Sequence, residues 1–341
     1  MRQVVITRHG PPEVLKPRDA ADPTPGEAEV RIAVRAAGIN FVDIFARLGV
    51  YPDAPAPPFV PGYEVAGEID AVGHHVSGYR EGDRVMAFTR FGGYADKIVV
   101  PSAHAFPAPP RLSDAEAAAV PVNYLTAFIA LWRLANLAPG ETVLIHGAGG
   151  GTGIAAMQLA RLRGAVIIAT ASAAKHDAVR RCGADHVIDY RAVDVASEVR
   201  RLTGDRGVDV VLDPLGGSSF RQSYRLLAPL GRLIVYGASD IVVGERRSLL
   251  RLARSFLEMP AFRPLALIQQ NRGVLGLNVG RLWTEVRQVT AAMEVLIHEI
   301  EAGRLRPVIA REFALEQAAD AHRFIQSRGN IGKVILRPTG S

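Results

Sequence analysis

The sequence predicts an α/β protein in which a doubly wound parallel-sheet domain is inserted into a β-rich domain. The chain has 341 residues, which is too long for one comfortable hydrophobic core. Through its middle, short apolar runs alternate with amphipathic helical segments, which is typical of a parallel sheet covered by helices. Both ends show short alternating runs broken by Gly and Pro, which indicate strands and turns. Together these observations predict two domains.

The β-rich domain begins at the first residue, and we assign residues 1–121 to its first part. Its predicted strands are VVITRHGPP, AEVRIAVRAAGIN, YEVAGEIDAVG, DRVMAF and YADKIVVP. The segment YPDAPAPPFVPG (51–62) carries too many prolines for a helix or a strand, so we expect a rigid loop there.

The pattern changes near residue 113, where Ser113 and Glu116 form a capping box that starts a helix. We assign residues 122–280 to the parallel-sheet domain. Its predicted strands are ETVLIH, AVIIAT, HVIDY, VDVVLD, RLIVYG and VLGLNV. Its predicted helices are IAAMQLARLRG, AAKHDAVRRCG, DVASEVRRL and SSFRQSYRLLA, with a helical insertion at 246–271. The last part, 281–341, opens with a long helix and then returns to the β-rich style.

The net charge of +6 comes almost wholly from arginine, because the chain has lysine only at Lys16, Lys97, Lys175 and Lys333. An excess of this size can indicate anionic ligands or nucleic acid. The arginines stand beside acidic residues along predicted helices, as in RLARSFLE and RLWTEVRQ, so we interpret most of them as solvated helix faces. The sequence therefore disfavours nucleic-acid binding.

The rest of the composition favours a soluble cytoplasmic protein. The chain has 1 cysteine, Cys182, which excludes an internal disulfide framework and a cysteine-clustered zinc lobe. The start, MRQVVITRHG, is strand-like and lacks the apolar region of a signal peptide. No stretch reaches the roughly 18 uninterrupted apolar residues that a membrane span needs.

A glycine-rich loop, HGAGGGTG (146–153), follows the predicted strand ETVLIH and opens a predicted helix. In this context Gly147, Gly150 and Gly153 form a dinucleotide-binding fingerprint of the Rossmann type. Glycine permits a tight turn, a close approach of backbone to pyrophosphate, and close packing of helix on strand, while the helix N-terminus offers N–H groups to phosphate. We assign the rest of the loop, Gly149, Gly151 and Thr152, to the same cofactor site.

The segment after the second predicted strand favours NADPH over NADH. A site for NADH normally carries an acidic residue about 20 residues beyond the glycines, where it binds the ribose 2′-hydroxyl. The run from Ile154 to His176 contains no Asp or Glu, and Ser172 and Lys175 stand where a carboxylate is expected. A hydroxyl and an ammonium suit a 2′-phosphate. The alternative is that Lys175 is merely an exposed residue in the first turn of a helix.

Several stretches along the chain carry a resemblance to a known family. They are GINFVDIFARLGVYP (38–52), PGYEVAGEIDAVG (61–73), GGYADKIVVP (92–101), VNYLTAF (122–128), the glycine loop, LAPLGRLIVYGAS (227–239) and RGNIGKVIL (328–336). Through them essentially the whole chain resembles the zinc-independent quinone oxidoreductase branch of the medium-chain dehydrogenase/reductase superfamily. The first, fourth and last of these stretches look most like the vesicle amine transport protein 1 subgroup. The resemblance implies a GroES-like catalytic domain around a Rossmann cofactor domain.

The zinc ligands of the superfamily are missing from this chain. Zinc-dependent members have a Cys after the Gly-Ile of the first motif and a His before the Glu of the second, and those positions hold Asn40 and Tyr63. The third ligand position falls near Val122. Amide, phenol and alkyl groups do not replace the usual zinc ligands. The nine histidines are dispersed and none forms a ligand pair at helical spacing, so we expect no metal.

The resemblance implies hydride transfer from NADPH to a quinone or an α,β-unsaturated carbonyl. Candidate donors to the developing oxyanion are Asn40, Tyr51 and Tyr63, in a cleft expected between the domains. Thr126 is expected to touch the nicotinamide. For the cofactor, the resemblance further implies Tyr190, Asn330 and the turn of Gly237, Ala238 and Ser239. Family members often have Tyr at the position of Phe45, so the proton donor stays open.

Other functions are kept as alternatives. The chain could be an NADP(H)-loaded scaffold or partner-binding protein without significant turnover, because a fold does not fix a function. It could also be an enoyl reductase of lipid or polyketide metabolism. We expect a homodimer, because VLGLNV is the last strand of the predicted sheet and leaves an unpaired edge. The insertion at 246–271, apolar and basic, favours a hydrophobic substrate or a partner helix.

Overall fold

The computed structural model of the chain describes residues 1–242, 244–245 and 248–338. The chain divides into two compact units. The first unit comprises Met1–Leu125, Gly244–Arg247 and Val279–Ser341, and the second comprises Thr126–Val243 and Ser248–Asn278.

The chain forms the following strands and helices. The strands are β1 (Arg2–Ile6), β2 (Leu15–Asp19), β3 (Glu29–Ile39), β4 (Glu64–Val72), β5 (Arg84–Phe88), β6 (Lys97–Pro101), β7 (Ala105–Pro107), β8 (Thr142–Ile145), β9 (Val166–Ala171), β10 (His186–Asp189), β11 (Val208–Asp213), β12 (Leu227–Val235), β13 (Gly273–Gly276), β14 (Ile309–Ala314) and β15 (Lys333–Arg337). The helices are α1 (Phe41–Leu48), α2 (Asp114–Ala117), α3 (Asn123–Phe128), α4 (Gly151–Leu162), α5 (His176–Arg181), α6 (Val195–Thr203), α7 (Ser218–Arg225), α8 (Leu249–Glu258), α9 (Pro264–Gln270), α10 (Val286–Glu301) and α11 (Ala318–Gln326).

The first unit is built on a seven-stranded sheet in the order β14-β15-β3-β4-β5-β7, with β6 also paired to β3. All its pairs are antiparallel except β14 with β15. The central strand β3 alternates in burial: Val30, Ile32 and Val34 lie in the core and their neighbours are half-buried. This period of two is the pattern of a strand with one face on a core. Strands β1 and β2 form a separate antiparallel pair.

The second unit contains six parallel strands in the order β10-β9-β8-β11-β12-β13. Strand β8 pairs with β9 on one side and β11 on the other, so the strand order reverses beside it. Such a reversal is where open α/β sheets bind their ligands, at the carboxyl ends of the strands. Strand β11 is buried along its whole length, as expected for a sheet covered on both faces. The predicted fold class is confirmed: a unit with a doubly wound parallel sheet and a β-rich unit.

Local signals in the sequence were accurate at some ends and not at others. The capping box forms as predicted, with the Glu116 backbone N–H 3.2 Å from Ser113 Oγ, although α2 is a single turn. Strand β12 begins five residues before the predicted RLIVYG, because Leu227 already pairs with Val208 ahead of a register shift. Strand β13 ends at Gly276, earlier than the predicted VLGLNV, because Val279–Leu282 forms a 3-10 turn.

The predicted helical insertion forms two helices, α8 and α9, and Arg246 and Arg247 lie outside the described residues. Four of its apolar side chains are largely exposed: Leu250, Leu257, Leu265 and Ile268. Across the described ranges, we find no helix with the length and apolar character that crossing a membrane requires.

Candidate active site

The glycine loop joins β8 to α4, as predicted. Gly147 has φ +64°, a conformation that side chains rarely adopt. At Gly153 a Cβ atom would lie 2.6 Å from the Gly147 carbonyl oxygen, so only glycine lets α4 pack this close to the loop. Gly150 is different, because it has an ordinary φ of −80° and a Cβ there would meet only the Gly147 oxygen, at 3.4 Å. The fold itself does not require a glycine at position 150. A ligand that approached the backbone closely would require one.

Lys175 reaches the glycine loop from the end of β9. A Cβ atom on Gly149 would lie 2.8 Å from Lys175 Cδ and 3.4 Å from its Nζ, so the side chain extends across the loop. Ser172 begins a 3-10 turn over Ala173–Lys175, in which the Lys175 N–H donates to the Ser172 carbonyl at 2.8 Å. The helix predicted over AAKHDAVRRCG is therefore a 3-10 turn followed by α5. Both side chains are half-buried.

In the sequence, no Asp or Glu stands between Glu141 and Asp177. Asp177 is exposed and pairs with Arg180. Tyr190, at the end of β10, is 41% exposed and has the Arg191 guanidinium 5.6 Å from its ring centre. Gly151 and Thr152 form the first turn of α4. A basic group over a glycine loop that lacks carboxylates fits a dinucleotide with an additional phosphate.

The turn Gly237–Ser239 is held against the end of β11. The Ser239 N–H donates to the Pro214 carbonyl at 2.8 Å. A Cβ atom on Gly237 would lie 2.9 Å from the same carbonyl oxygen. Ala238 lies between them, with its Cα 3.0 Å from where a Cβ on Gly216 would stand. The backbone of this turn is therefore fixed by close contacts.

Near the carboxyl ends of the strands lies a network of hydrogen-bonded polar side chains that the sequence did not predict. His146 Nδ1 is 3.1 Å from Thr170 Oγ1, and its Nε2 is 3.2 Å from Ser223 Oγ. Ser223 and Ser219 both donate to Asp213 Oδ2 at 2.7 Å. Burial lowers the pKa of His146, so its imidazole is neutral at physiological pH. This hydrogen-bond network connects β8, β9, β11 and α7 around the glycine loop.

In the first unit, Asn40 lies between a buried lysine and a buried glutamate. Its Oδ1 accepts from Lys333 Nζ at 2.6 Å, and its Nδ2 donates to Glu64 Oε1 at 2.9 Å. Lys333 and Glu64 also form an ion pair, with side chains 3% and 0% exposed. Glu64 Oε2 accepts from the Val122 N–H at 2.7 Å. Because lysine only donates and carboxylate only accepts, the amide orientation of Asn40 is determined.

A second buried group begins at the N-terminus of α1. Asp43 Oδ2 accepts from the Asn40 N–H at 2.8 Å and from the Tyr94 hydroxyl at 3.2 Å. Its Oδ1 accepts from the Gly62 N–H at 3.1 Å. Burial raises the pKa of Asp43 to about 7 despite these donors. The Tyr94 hydroxyl is also 3.0 Å from His322 Nε2, and burial lowers the pKa of that imidazole.

The predicted donors Tyr51 and Tyr63 belong to an aromatic cluster. Their rings meet edge to face with centres 6.3 Å apart, and Tyr63 lies 4.9 Å from the Phe91 ring. Phe88, Val122 and Trp283 also belong to the cluster. The Tyr63 hydroxyl is buried with no hydrogen-bond partner among the described residues. Burial, together with Tyr51, raises the Tyr63 pKa, so the phenol keeps its proton.

Two predicted residues have less informative surroundings. Thr126 lies in α3 and is 6% exposed. Asn330 is 9% exposed, and its Nδ2 donates to the Gly332 carbonyl at 2.9 Å in the turn before β15. A cofactor contact of either residue stays a prediction.

Two histidines that are adjacent in the sequence, His74 and His75, approach a glutamate from a distant part of the chain. Within the described part of the chain, one group of three side chains could hold a metal ion: Glu27, His74 and His75. All three are exposed, and none occupies the positions at which zinc-dependent relatives hold their metal. In the sequence, the only indication of this possible metal site was the adjacent pair His74–His75.

Comparison with known proteins places these units in a family. Residues 26–110 match the family described as alcohol dehydrogenase GroES-like domain, and residues 182–336 match zinc-binding dehydrogenase. The synaptic vesicle membrane protein VAT-1 homolog of Homo sapiens is 40% identical over 341 residues, which cover 99% of this chain and 86% of that protein. The chain belongs to the medium-chain dehydrogenase/reductase family.

Two quinone oxidoreductases are also similar to this medium-chain dehydrogenase/reductase. The quinone oxidoreductase of Sus scrofa is 35% identical over 98% of this chain and 97% of that protein. The crystal structure of the Escherichia coli quinone oxidoreductase complexed with NADPH aligns with a TM-score of 0.88 at 29% identity, covering 99% of this chain and 100% of that one. The resemblance drawn from the sequence is thereby confirmed.

Proposed function

We propose that this medium-chain dehydrogenase/reductase is an NADPH-dependent, zinc-independent oxidoreductase that transfers a hydride to a quinone or an α,β-unsaturated carbonyl. The observation that carries the proposal is the Lys175 side chain across the glycine loop, together with the lack of Asp and Glu in the sequence from Ile154 to His176. A similar enzyme in complex with NADPH supports it.

The second unit would bind the cofactor. The N–H groups at the start of α4 would bind the pyrophosphate beside Gly150, and Lys175 with Ser172 would hold the 2′-phosphate. Tyr190 would lie at the adenosine end, and Gly237, Ala238 and Ser239 at the nicotinamide end. When bound, reduced nicotinamide supplies the hydride.

The first unit would bind the acceptor and stabilise its developing oxyanion. The Tyr63 hydroxyl is the main candidate, because a buried donor without a partner costs about 1–3 kcal/mol unless a ligand satisfies it. Asn40 Nδ2 carries two hydrogens, and Glu64 takes one of them, so the other can point to the ligand. Tyr51, whose ring packs against Tyr63 in the same aromatic cluster, would be a second phenol donor. A conjugated acceptor spreads the incoming charge and needs no Lewis acid.

The test is NADPH oxidation by the purified protein with a panel of quinones, enones and enoyl thioesters, followed by the near-ultraviolet absorbance of reduced nicotinamide. The proposal expects turnover of quinones or simple enones by the wild type. In Tyr63→Phe the rate of turnover should be lower than in the wild type, and the affinity for NADPH should be unchanged. Tight binding of NADPH with no turnover of any acceptor would favour a scaffold. Turnover of enoyl thioesters alone would favour an enoyl reductase.

Zinc should have no part in the reaction, because Asn40, Tyr63 and Val122 stand at the ligand positions. A chelator should therefore leave turnover unchanged. Loss of turnover on chelation, restored by zinc, would contradict this.

A cytoplasmic location and the lack of nucleic-acid binding stay predictions.

We also propose a homodimer that forms through β13. Among the residues that the structure describes, β13 pairs only with β12 and ends the sheet, so its other edge has no partner strand there. Leu265 and Ile268 on α9, just before β13, are 73% and 69% exposed. An exposed apolar surface beside a strand edge suits a two-fold interface. Light scattering should give a dimer at micromolar concentration, and Ile268→Asp should weaken it; a monomeric wild type would refute the interface.

A further inference from the structure

Glu27, His74 and His75 bring three metal-ligating side chains to one point on the surface of the first unit. His74 Nε2 lies 3.5 Å from Glu27 Oε1, and His75 Nδ1 lies 3.2 Å from Glu27 Oε2. The two imidazole rings are adjacent, with centres 4.2 Å apart. One ligand atom from each residue fits within a group whose members lie within 4.8 Å of one another.

The backbone holds the two segments that carry these side chains. Glu27 precedes β3, and the histidines follow β4, its antiparallel partner. The His75 N–H donates to the Glu27 carbonyl at 2.9 Å, and the Gly73 N–H donates to the Glu29 carbonyl at 2.9 Å. A Cβ atom at Gly73 would lie 2.0 Å from the Gly26 carbonyl oxygen, so glycine is needed for this approach. The fold therefore brings together the two backbone segments that carry the three side chains.

The distances are compatible with metal coordination as well as with long hydrogen bonds. An ordinary N–H···O hydrogen bond spans about 2.7–3.2 Å. The two contacts are 3.5 and 3.2 Å, one beyond that range and one at its limit. Around a tetrahedral zinc ion with bonds of about 2.0–2.2 Å, neighbouring ligand atoms lie about 3.3–3.5 Å apart. Small rotations of exposed side chains would complete this geometry.

We propose that Glu27, His74 and His75 form an accessory site for a divalent cation of the zinc type. Two imidazoles and a carboxylate are ligands that Zn²⁺ accepts, and water would fill the remaining position. Hard cations such as Mg²⁺ prefer oxygen ligands and are disfavoured. The site is separate from Asn40 and Tyr63, so it would not restore the catalytic zinc of other family members. A bound ion would pin the segment before β3 to the connection between β4 and β5.

The experiment is calorimetric titration of the full chain with zinc chloride, after removal of metals by a chelator. The wild type should bind one zinc per chain with micromolar affinity. His74→Ala and His75→Ala should each weaken binding by at least about tenfold, and Glu27→Gln should weaken it as well. The matched control is His186→Ala, which removes an exposed histidine of the second unit. Cys182→Ser should leave the affinity unchanged.

Thermal unfolding provides an independent measurement. Because these three side chains are 62–67% exposed, the variants should unfold at the wild-type temperature when zinc is absent. Zinc should raise the unfolding temperature of the wild type and of His186→Ala, but not of the His74→Ala/His75→Ala double variant. No zinc binding by the wild type, or equal binding by the double variant, would show that the cluster is only an ion pair and overturn the proposal. Neither result depends on the proposed oxidoreductase activity.

Discussion

Replacing Lys175 with alanine should weaken NADPH binding about 10- to 100-fold and leave NADH binding nearly unchanged. The two cofactors differ only in the 2′-phosphate, so a residue that binds this group affects one of them. The Lys175 stem lies against Gly149 and its ammonium is 3.4 Å from where a Gly149 Cβ would stand. The side chain is therefore already directed to the place where the cofactor would lie.

The magnitude follows from how this lysine is held. A fully exposed ion pair contributes about 0–1 kcal/mol, because both side chains must be ordered and water screens them. Lys175 is half-buried and packed on the loop, so less entropy is lost when the phosphate binds. A hydrogen bond to a charged group then contributes about 1.5–3 kcal/mol, which is one to two decades in affinity.

Calorimetric titration of NADPH and NADH into the wild type and the variants measures this difference. Lys175→Arg keeps the charge and is the matched control, which should retain most of the preference. Ser172→Asp should shift the preference toward NADH, because it removes a donor and adds repulsion. Equal affinity of the wild type for both cofactors, or equal weakening of both in Lys175→Ala, would refute the assignment of the phosphate pocket.

Three further predictions concern stability. Gly153→Ala should lower the unfolding midpoint in urea and abolish NADPH binding, because its Cβ would lie 2.6 Å from a backbone oxygen; Gly150→Ala, with room for the methyl, should fold normally. Lys333→Met should cost about 3–5 kcal/mol by leaving Glu64 buried and unpaired, whereas an exposed lysine changed in the same way should cost under about 1 kcal/mol; similar midpoints would contradict this. Because burial raises the pKa of Asp43 from the usual 3.8 to about 7, the native state holds an extra proton between those values. The free energy of unfolding should therefore fall as pH rises through this range, and Asp43→Asn should flatten that slope.

The parallel-sheet unit could be predicted from the sequence because its signals are local. Each strand and helix carries its own periodicity. Gly147 is explained by its own positive φ, and Gly153 by contacts with Gly147 and Ala148, at most six residues away. The preference for NADPH was inferred from the missing carboxylate, and the structure supplied the contact of Lys175 with the loop. Strand ends were less predictable, because β12 starts where a neighbouring strand offers a partner.

The surroundings of the candidate donors could not be predicted, since they depend on pairs far apart in the chain. Asn40 and Lys333 are separated by 293 residues, and Tyr94 and His322 by 228. No periodicity or spacing reports such contacts. Lys333 was visible as one of few lysines in an arginine-rich chain, yet nothing local indicated that it was buried. Likewise, the sequence contains the pair His74–His75 but not its approach to a glutamate that precedes another strand.

The buried pair of Lys333 and Glu64 explains why an amide suits position 40. The side chain there must accept from an ammonium on one side and donate to a carboxylate on the other. A cysteine, which zinc-dependent relatives carry at this position by the resemblance, offers one weak donor and one weak acceptor and would leave at least one of the two charges poorly bonded. Asparagine satisfies both groups and still has one N–H to offer. The same arrangement therefore fixes a donor of known orientation, which is what the proposed reduction of a conjugated carbonyl without a metal would use.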